Sequence, residues 1–283
     1  MFAIVGIVVV FGAVIGGYLL EHGKLMVLLQ PAELVIIGGA AAGTVLIGNS
    51  TAVLKGILSG AIGVFKGSKF TRALYLEGLK SMYGLMQKAR KNGLAALEND
   101  VEEPDKSDLL KNFRDHHVRA FVCDTLRMAI TGGPTPMDLD QMMELDMEVH
   151  HHYSQQPANA LTTMADSLPG LGIVAAVLGV VITMGALGGP PEEIGHKVAA
   201  ALVGTFLGIL LCYGLVGPIA SRMTKEAEEE GHYYHVLRIA VVAFLKGNSP
   251  MIALEFARRA IPGTVRPSFL ELEKACKEKP AAA

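Results

Sequence analysis

The sequence contains no tryptophan, only three cysteines among 283 residues, and few charged side chains, at 18%. Cys123, Cys212 and Cys276 lie far apart without a C-x-x-C pair, so neither a disulfide framework nor a zinc ribbon is expected. Hydrophobic residues make up 51% of the chain, glycine occurs 32 times, and the mean hydropathy is positive. This composition is typical of an integral membrane protein with a sizeable aqueous part.

Sequence signatures of enzymes and metal sites are also missing. There is no G-x-x-x-x-G-K-[ST] phosphate loop and no convincing nucleophile–base arrangement, so we expect no enzyme activity and no cofactor. The consecutive histidines His150 to His152 would point about 100° apart on a helix and cannot converge on one ion, and His116 and His117 fail likewise. His232 and His235 could share a face but lack an evident acidic or cysteine partner, so no metal site is predicted.

What the sequence does contain is long apolar runs. Each of four is free of charge and long enough to cross a bilayer, and they cover residues 2–20, 34–50, 168–187 and 198–218. The first has no basic segment before it and no A-x-A cleavage site, which favours a retained helix over a signal peptide. Short links join the first two spans into one hairpin and the last two into another.

The intervening polar segments predict the rest of the architecture. The expected parts are a transmembrane hairpin, a helical cytoplasmic domain, a second hairpin and a helical cytoplasmic tail, over residues 1–54, 55–167, 168–218 and 219–283. Between Lys55 and Lys91 there are eight Lys/Arg against one acid, Glu77, whereas the two short links are net negative. The positive-inside rule therefore places residues 51–167, the tail and both termini in the cytoplasm. The predicted fold class is all-α.

Helix start and stop signals occur throughout the polar segments. The run "FTRALYLEGLKSMYGLMQKARKNG" ends basic and stops at Asn-Gly, as a helix C-terminus does. A second helix is predicted after Ser107 and ends before the glycines at 132 and 133. A third is predicted to begin with Ser249 as cap and Pro250 in its first turn. No strand alternation is convincing.

Small residues are concentrated inside the spans. The first, second and fourth spans contain G-x-x-x-G pairs at residues 12 and 16, 39 and 43, and 204 and 208, a spacing that lets helix backbones approach closely. Two interpretations stay open: the close packing is internal to the chain, or it also builds an oligomer.

Weakly polar residues recur on one face of the last two spans. Pro169, Ala176 and Thr183 are seven residues apart and fall near one face of the third span; Thr205 lies on a similar face of the fourth, with Ala201, Gly208 and Cys212. An isolated intramembrane threonine often only hydrogen-bonds its own backbone, so that alternative stays open for both threonines. No predicted span contains an ionisable residue in its interior, although proton-moving proteins normally place one there. Either this chain moves no ion, or a partner helix supplies the carboxylate.

The motifs "SLPGLGIVAAVLGVV", "VGTFLGILLCYGLVGP" and "MQKARKNGLAALEND", with the two-hairpin plan, resemble the MotA/TolQ/ExbB proton-channel superfamily over essentially the whole chain. TolQ and ExbB members have three spans and lack the first hairpin, so the resemblance is to MotA, the stator subunit of the bacterial flagellar motor. It implies an inner-membrane protein of motility and chemotaxis, with several copies, five in the family picture, around two copies of MotB. MotB would bring the missing aspartate. A TolQ/ExbB-like energiser of an outer-membrane process, or a structural scaffold, are the alternatives.

The same resemblance assigns roles to individual residues. Arg90 and Glu98 match the family charges that meet complementary charges on the rotor protein FliG. Pro169 and Pro218 match prolines that transmit ion-linked motion, although Pro169 is also ordinary in the first turn of a helix. Ala176, Thr183 and Thr205 would line the ion pathway. Sodium-driven members tend to carry a threonine where Ala176 aligns, so proton coupling is predicted. Membrane lipid is an expected contact and nucleic acid is not.

Overall fold

The computed structural model of the protein describes residues 2–113, 115–185, 188 and 190–277. Most of these residues are helical, and none of them forms a strand, which confirms the all-α prediction. The α-helices are α1 Phe2–Leu20, α2 Leu25–Leu28, α3 Pro31–Gly48, α4 Thr51–Val64, α5 Arg72–Asn92, α6 Glu98–Glu102, α7 His116–Thr131, α8 Pro136–Met184, α9 Pro191–Leu211, α10 Gly217–Leu245, α11 Pro250–Ala260 and α12 Phe269–Lys277. A 3₁₀ turn at Leu94–Leu97 precedes α6, and a π-helical turn at Cys212–Val216 precedes α10.

The chain forms two compact units. Unit 1 consists of Met1–Gly67 and Ser154–Glu226, and unit 2 of Ser68–Tyr153 and Ala227–Ala283. The long helices α8 and α10 each contribute residues to both units.

Among the described residues, four helical segments are long and apolar enough to span a membrane, as the sequence predicted: Phe2–Leu20, Leu25–Gly48, and stretches within Pro136–Met184 and Pro191–Leu245. The first has the predicted bounds. The second combines α2 with α3, and α3 begins at Pro31 rather than at the predicted residue 34, because a proline in the first helical position has no N–H to leave unpaired. The predicted end of the third span, Leu187, lies outside the described residues.

In unit 1, small residues allow the helices to pack closely. One of its buried clusters consists of Ile37, Ala41, Ala165, Leu168, Ala175 and Cys212. The α1 helix, by contrast, has no buried residue. In a chain of this hydropathy, such apolar surface is available to lipid or to another helix rather than to water.

Unit 2 has a larger aliphatic and aromatic core. Tyr75 on α5 and Tyr233 on α10 meet edge to face with ring centroids 5.3 Å apart. Leu237 and Leu254 are fully buried beside them, and each such side chain contributes about 1.5–3 kcal/mol to folding. Burial also raises the pKa of the Cys123 thiol to about 11, so this cysteine is not a ready nucleophile at neutral pH.

One predicted helix start and one predicted helix cap in unit 2 need correction. The helix predicted after Ser107 begins only at His116, capped by Asp115, because the Ser107 hydroxyl instead donates to the Asp100 carboxylate at 2.7 Å and holds a turn. The α11 helix begins at Pro250 as predicted, but the Ser249 side chain makes no capping hydrogen bond. The predicted helix ends at Gly93 and Gly132 are confirmed. Their φ angles are 81° and 73°, a conformation that favours glycine.

Candidate functional site

The central feature of unit 1 is a very close crossing of α8 and α9. A Cβ atom added to Gly172 would lie 2.9 Å from the Gly204 carbonyl oxygen and 3.2 Å from the Gly208 Cα. A Cβ atom on Gly208 would lie 2.5 Å from the Leu168 carbonyl oxygen. Backbone atoms cannot rotate away as a side chain can, so only glycine fits at these positions. The G-x-x-x-G pair of the fourth span therefore packs inside the chain.

The other two G-x-x-x-G pairs have no such neighbour. A Cβ atom added at Gly12, Gly16, Gly39 or Gly43 would meet no heavy atom within 4 Å among the described residues. These glycine faces of α1 and α3 are therefore open in the single chain. Of the two interpretations left by the sequence, internal packing accounts for α9 but not for α1 and α3.

The three predicted ion-pathway residues lie on the α8–α9 pair in different environments. Thr183 is buried, and its hydroxyl donates to the Gly179 carbonyl oxygen at 2.8 Å, the local bond expected of a structural threonine. Thr205 is half-buried, and its hydroxyl has no hydrogen-bond partner within the described ranges. Ala176 is half-buried on α8. Of the two threonines, only Thr205 therefore has a hydroxyl free to bind something outside the chain.

Pro169 does not begin a helix. It lies inside the 49-residue helix α8, which corrects the interpretation of a first-turn proline. A proline there cannot donate to the carbonyl oxygen four residues earlier, that of Ala165. Its neighbour Leu168 is the residue whose carbonyl lies against Gly208. The weakened turn of α8 is thus next to the tightest part of the helix crossing.

Pro218 follows a local change in helix type. The Gly217 N–H donates to the Cys212 carbonyl oxygen, closing a wide π turn over Cys212–Val216. The chain then continues as α10 from Gly217, with Pro218 in its first turn. The π turn explains how a helix can continue through a residue that has no N–H to donate.

The two predicted rotor-contact residues lie in unit 2 on either side of a sharp turn. Arg90 is in the last turn of α5, and Glu98 is the first residue of α6. Both are exposed, and neither has an ion-pair partner among the described residues. Lys88, in contrast, forms a 2.6 Å salt bridge with Asp100.

A shallow pocket of about 370 Å³ adjoins this turn and is lined by Tyr83, Gln87, Arg90, Lys91, Ser249, Pro250 and Met251. Arg90 and Lys91 give it a positive charge, while Glu98 lies outside it. Within the described part of the chain, no group of three or more His, Cys, Asp or Glu side chains could hold a metal ion.

One buried residue was missed in the sequence. The predicted bounds of the second span, residues 34–50, leave Glu33 in the link before it, whereas in the structure Glu33 is in the first turn of α3 and only 6% exposed. The predicted interior of the second span, residues 34–50, still holds no ionisable residue, but the helix itself begins earlier and includes Glu33. The signal available was Pro31, because a proline at the first helical position places Glu33 inside the helix.

Comparisons with known proteins give matches over most of the chain. Residues 4–93 match the N-terminal family of motility protein A, and residues 113–235 match the MotA/TolQ/ExbB proton channel family. Motility protein A of Escherichia coli is 40% identical over 97% of this chain and 94% of its own. Chemotaxis protein LafT of Vibrio parahaemolyticus is 34% identical over 95% and 96%.

Solved structures give the same result. The flagellar MotAB stator complex from Bacillus subtilis matches with a TM-score of 0.74 and 27% identity, covering 93% of this chain and 96% of that chain. The MotAB structure from C. jejuni matches with a TM-score of 0.76 at 20% identity, over 92% and 95%, which shows the fold alone. On the sequence and structural matches together, the chain belongs to the motility protein A family, within the MotA/TolQ/ExbB proton channel family.

Proposed function

We propose that this chain is a stator subunit of a bacterial flagellar motor, which forms a proton channel with MotB and converts ion flow into torque on the rotor. The proposal rests on the α8–α9 crossing, where glycines let the two helices approach closely. Beside it, the Thr205 hydroxyl has no hydrogen-bond partner among the described residues. The match of residues 4–93 to the motility protein A N-terminal family favours a stator over a TolQ/ExbB-like energiser, since those members lack the first hairpin.

The partner is MotB, which supplies the ion-carrying aspartate. One proton crossing 100 mV releases about 2.3 kcal/mol, enough to bias a small step between two packed states. A smooth face of small residues keeps the barrier between such states low. The glycine faces of α1 and α3, which meet no neighbour among the described residues of the chain, support a homo-oligomer, and we place five copies around a MotB dimer.

The membrane is the bacterial inner membrane, with both termini in the cytoplasm. Residues 55–167 and 219–283 are then cytoplasmic, in keeping with the excess of basic residues between Lys55 and Lys91. Arg90 and Glu98 are exposed and have no ion-pair partner among the described residues, which supports contacts with charges on FliG. Pro169 and Pro218 couple ion passage to motion, and Ala176, Thr183 and Thr205 line the ion pathway.

The test is a deletion strain on soft agar, with flagella counted by electron microscopy. We expect cells that keep their flagella but do not swim, and that swim again when the gene is restored. Cells that lose their flagella, or that swim normally without any second stator gene, would contradict the proposal. Swimming should not return when the restored gene is expressed together with a MotB in which the membrane aspartate is replaced by asparagine.

A further inference from the structure

Glu33 lies in the interior of unit 1, on the face of α3 that packs into the core. The buried residues of α3 are Glu33, Ile37, Ala41 and Val45, spaced one helical turn apart on one side of the helix. Three of the four are apolar. The carboxyl group therefore takes the first position of an otherwise hydrophobic stripe.

The carboxyl group points at the α9 backbone. A Cβ atom added to Gly204 would lie 2.5 Å from the Glu33 Oε2 atom and 3.2 Å from the Ala175 Cβ. The missing side chain of Gly204 therefore makes the space that Glu33 occupies. Thr205, with the free hydroxyl, is the next residue of α9, its side chain turned about 100° from that direction.

Nothing in the described chain neutralises this carboxyl group. Its Oε2 atom is buried and accepts no hydrogen bond. On the unit 1 segments packed around α3, the titratable groups are Lys24 before α2, Asp166 on α8, the Cys212 thiol after α9, and four residues in the first two turns of α9: Glu192, Glu193, His196 and Lys197. None of them forms an ion pair with Glu33, and Lys197 is paired with Glu193 at 2.8 Å. Burial without a partner costs far more free energy for an ionised carboxylate than for the neutral acid.

Packing alone does not account for the residue. A leucine or methionine would fill the same space without burying an unpartnered oxygen, which costs about 1–3 kcal/mol. An ionisable group within a membrane span is more often part of a proton pathway than of the packing. Glu33 is also near the start of α3, the end that the positive-inside rule assigns to the non-cytoplasmic side.

We infer that Glu33 is a second proton-binding site of the channel, supplied by this chain, on the entry side of the partner's carboxylate. In each cycle the Glu33 acid gives its proton, through water at the α9 face, to the partner's carboxylate. The resulting Glu33 carboxylate then takes a proton from hydronium of the outer aqueous phase. One O–H bond breaks and one forms in each step, so one proton passes and Glu33 is restored. This inference rests on the proposed stator function.

The first test compares Glu33→Gln with Glu192→Gln in the full chain, co-expressed with its partner. Glu192 is an exposed carboxylate in the first turn of α9, so it is a matched control. Glutamine keeps the shape and hydrogen-bonding capacity of Glu33 but cannot carry a proton. We expect E33Q cells to swim more slowly, with the external pH for half-maximal speed lowered by about one unit, a tenfold higher proton concentration. E192Q should match wild type, and Glu33→Asp should partly restore the speed.

Normal speed and an unchanged pH profile in E33Q would overturn the inference. If the E33Q complex does not assemble, the wild-type protein still decides the question. Dicyclohexylcarbodiimide reacts with neutral carboxylic acids in apolar surroundings, so mass spectrometry of treated wild-type membranes should find the adduct on Glu33 and not on Glu192. Absence of the adduct on Glu33 would also overturn it. Failure of the stator proposal is seen separately, since deletion of the whole chain would then leave swimming intact.

Discussion

At the scale of single residues, the two threonines of the candidate pathway differ in what their hydroxyls do. We expect Thr205→Val to reduce swimming speed clearly, because it removes a hydroxyl that is free to meet an ion or water. Thr183→Val removes a bond to the residue's own backbone and should have little effect. Both are measured as swimming speed at equal membrane levels of the complex. A larger loss in T183V than in T205V would show that the ion pathway depends on the Thr183 hydroxyl of α8 rather than on the Thr205 hydroxyl of α9.

The turn between α5 and α6 gives a second residue-scale prediction. Arg90→Glu and Glu98→Lys should impair swimming while leaving membrane insertion and MotB binding intact, because both side chains are exposed and unpaired within the described chain. Lys106→Glu, a change at an exposed surface pair with Glu103, is the control and should swim normally, since such pairs are worth little. The measurements are soft-agar swimming and co-purification of MotB.

Two outcomes would contradict the rotor contact. Loss of the variants from the membrane would indicate a folding role, and normal swimming of the double mutant would indicate that the charges are only solvated. Lys88 does not readily replace the charge of Arg90 in the double mutant, because its ammonium group forms a 2.6 Å salt bridge with Asp100.

At the scale of helices, composition and local signals predicted the ends better than the beginnings. Gly93 and Gly132 mark the ends of α5 and α7 because their backbone conformations favour glycine. The start of α7 was missed because Ser107 can cap a helix or hold a turn, and only its tertiary contact with Asp100 decides between them. The interior position of Pro169 was missed for a similar reason, since hydrophobicity changes near Asp166 while the helix itself continues.

The prolines give the first prediction at this scale. Pro169→Leu and Pro218→Leu each restore a backbone donor and should stiffen α8 or the π turn before α10. We expect torque to fall more than assembly does, measured as the rotation speed of tethered cells against the yield of purified complex. If the complexes fall apart in detergent, the prolines are packing elements and the coupling role is wrong.

The helix crossing gives the second. Gly208→Ala places a Cβ atom 2.5 Å from the Leu168 carbonyl oxygen, a backbone atom that cannot move aside, and should sharply lower the yield of the assembled complex. Gly170→Ala is the control, on α8 two residues after Leu168. The Cβ atom it adds would meet no heavy atom within 4 Å among the described residues. It should be tolerated or even stabilising by about 0.5–1 kcal/mol, because alanine is the better helix residue. Equal behaviour of the two variants would mean that the crossing is looser than this geometry.

At the scale of the whole molecule, the class of protein and its family could be predicted because long apolar runs and their spacing are properties of the sequence itself. Which faces are covered could not, since that depends on contacts between distant segments. Gly204 and Gly12 belong to the same motif, yet one is closed by Glu33 and the other is open. The burial of Glu33 depends in the same way on α9, 171 positions along the chain from it.

The side chains along the pathway favour one coupling ion for the assembled channel. Sodium requires several oxygen ligands, whereas a proton requires a carboxylate and a chain of water. Ala176 has no oxygen to offer, and a slip of one position in the alignment would give Ala175 or Val177, which have none either. Thr205 alone would provide one hydroxyl per subunit, too few for a sodium cage.

We therefore expect proton coupling, with Ala176 and Thr205 facing the aspartate of MotB. Cells in potassium buffer without sodium should swim at the speed seen in sodium buffer, and a protonophore should stop them in both. Because a protonophore also lowers the sodium gradient indirectly, the sodium-free arm carries the distinction. Motility that stops on removal of sodium but persists with the protonophore would overturn the assignment, and would require oxygen ligands supplied by the partner rather than by this chain.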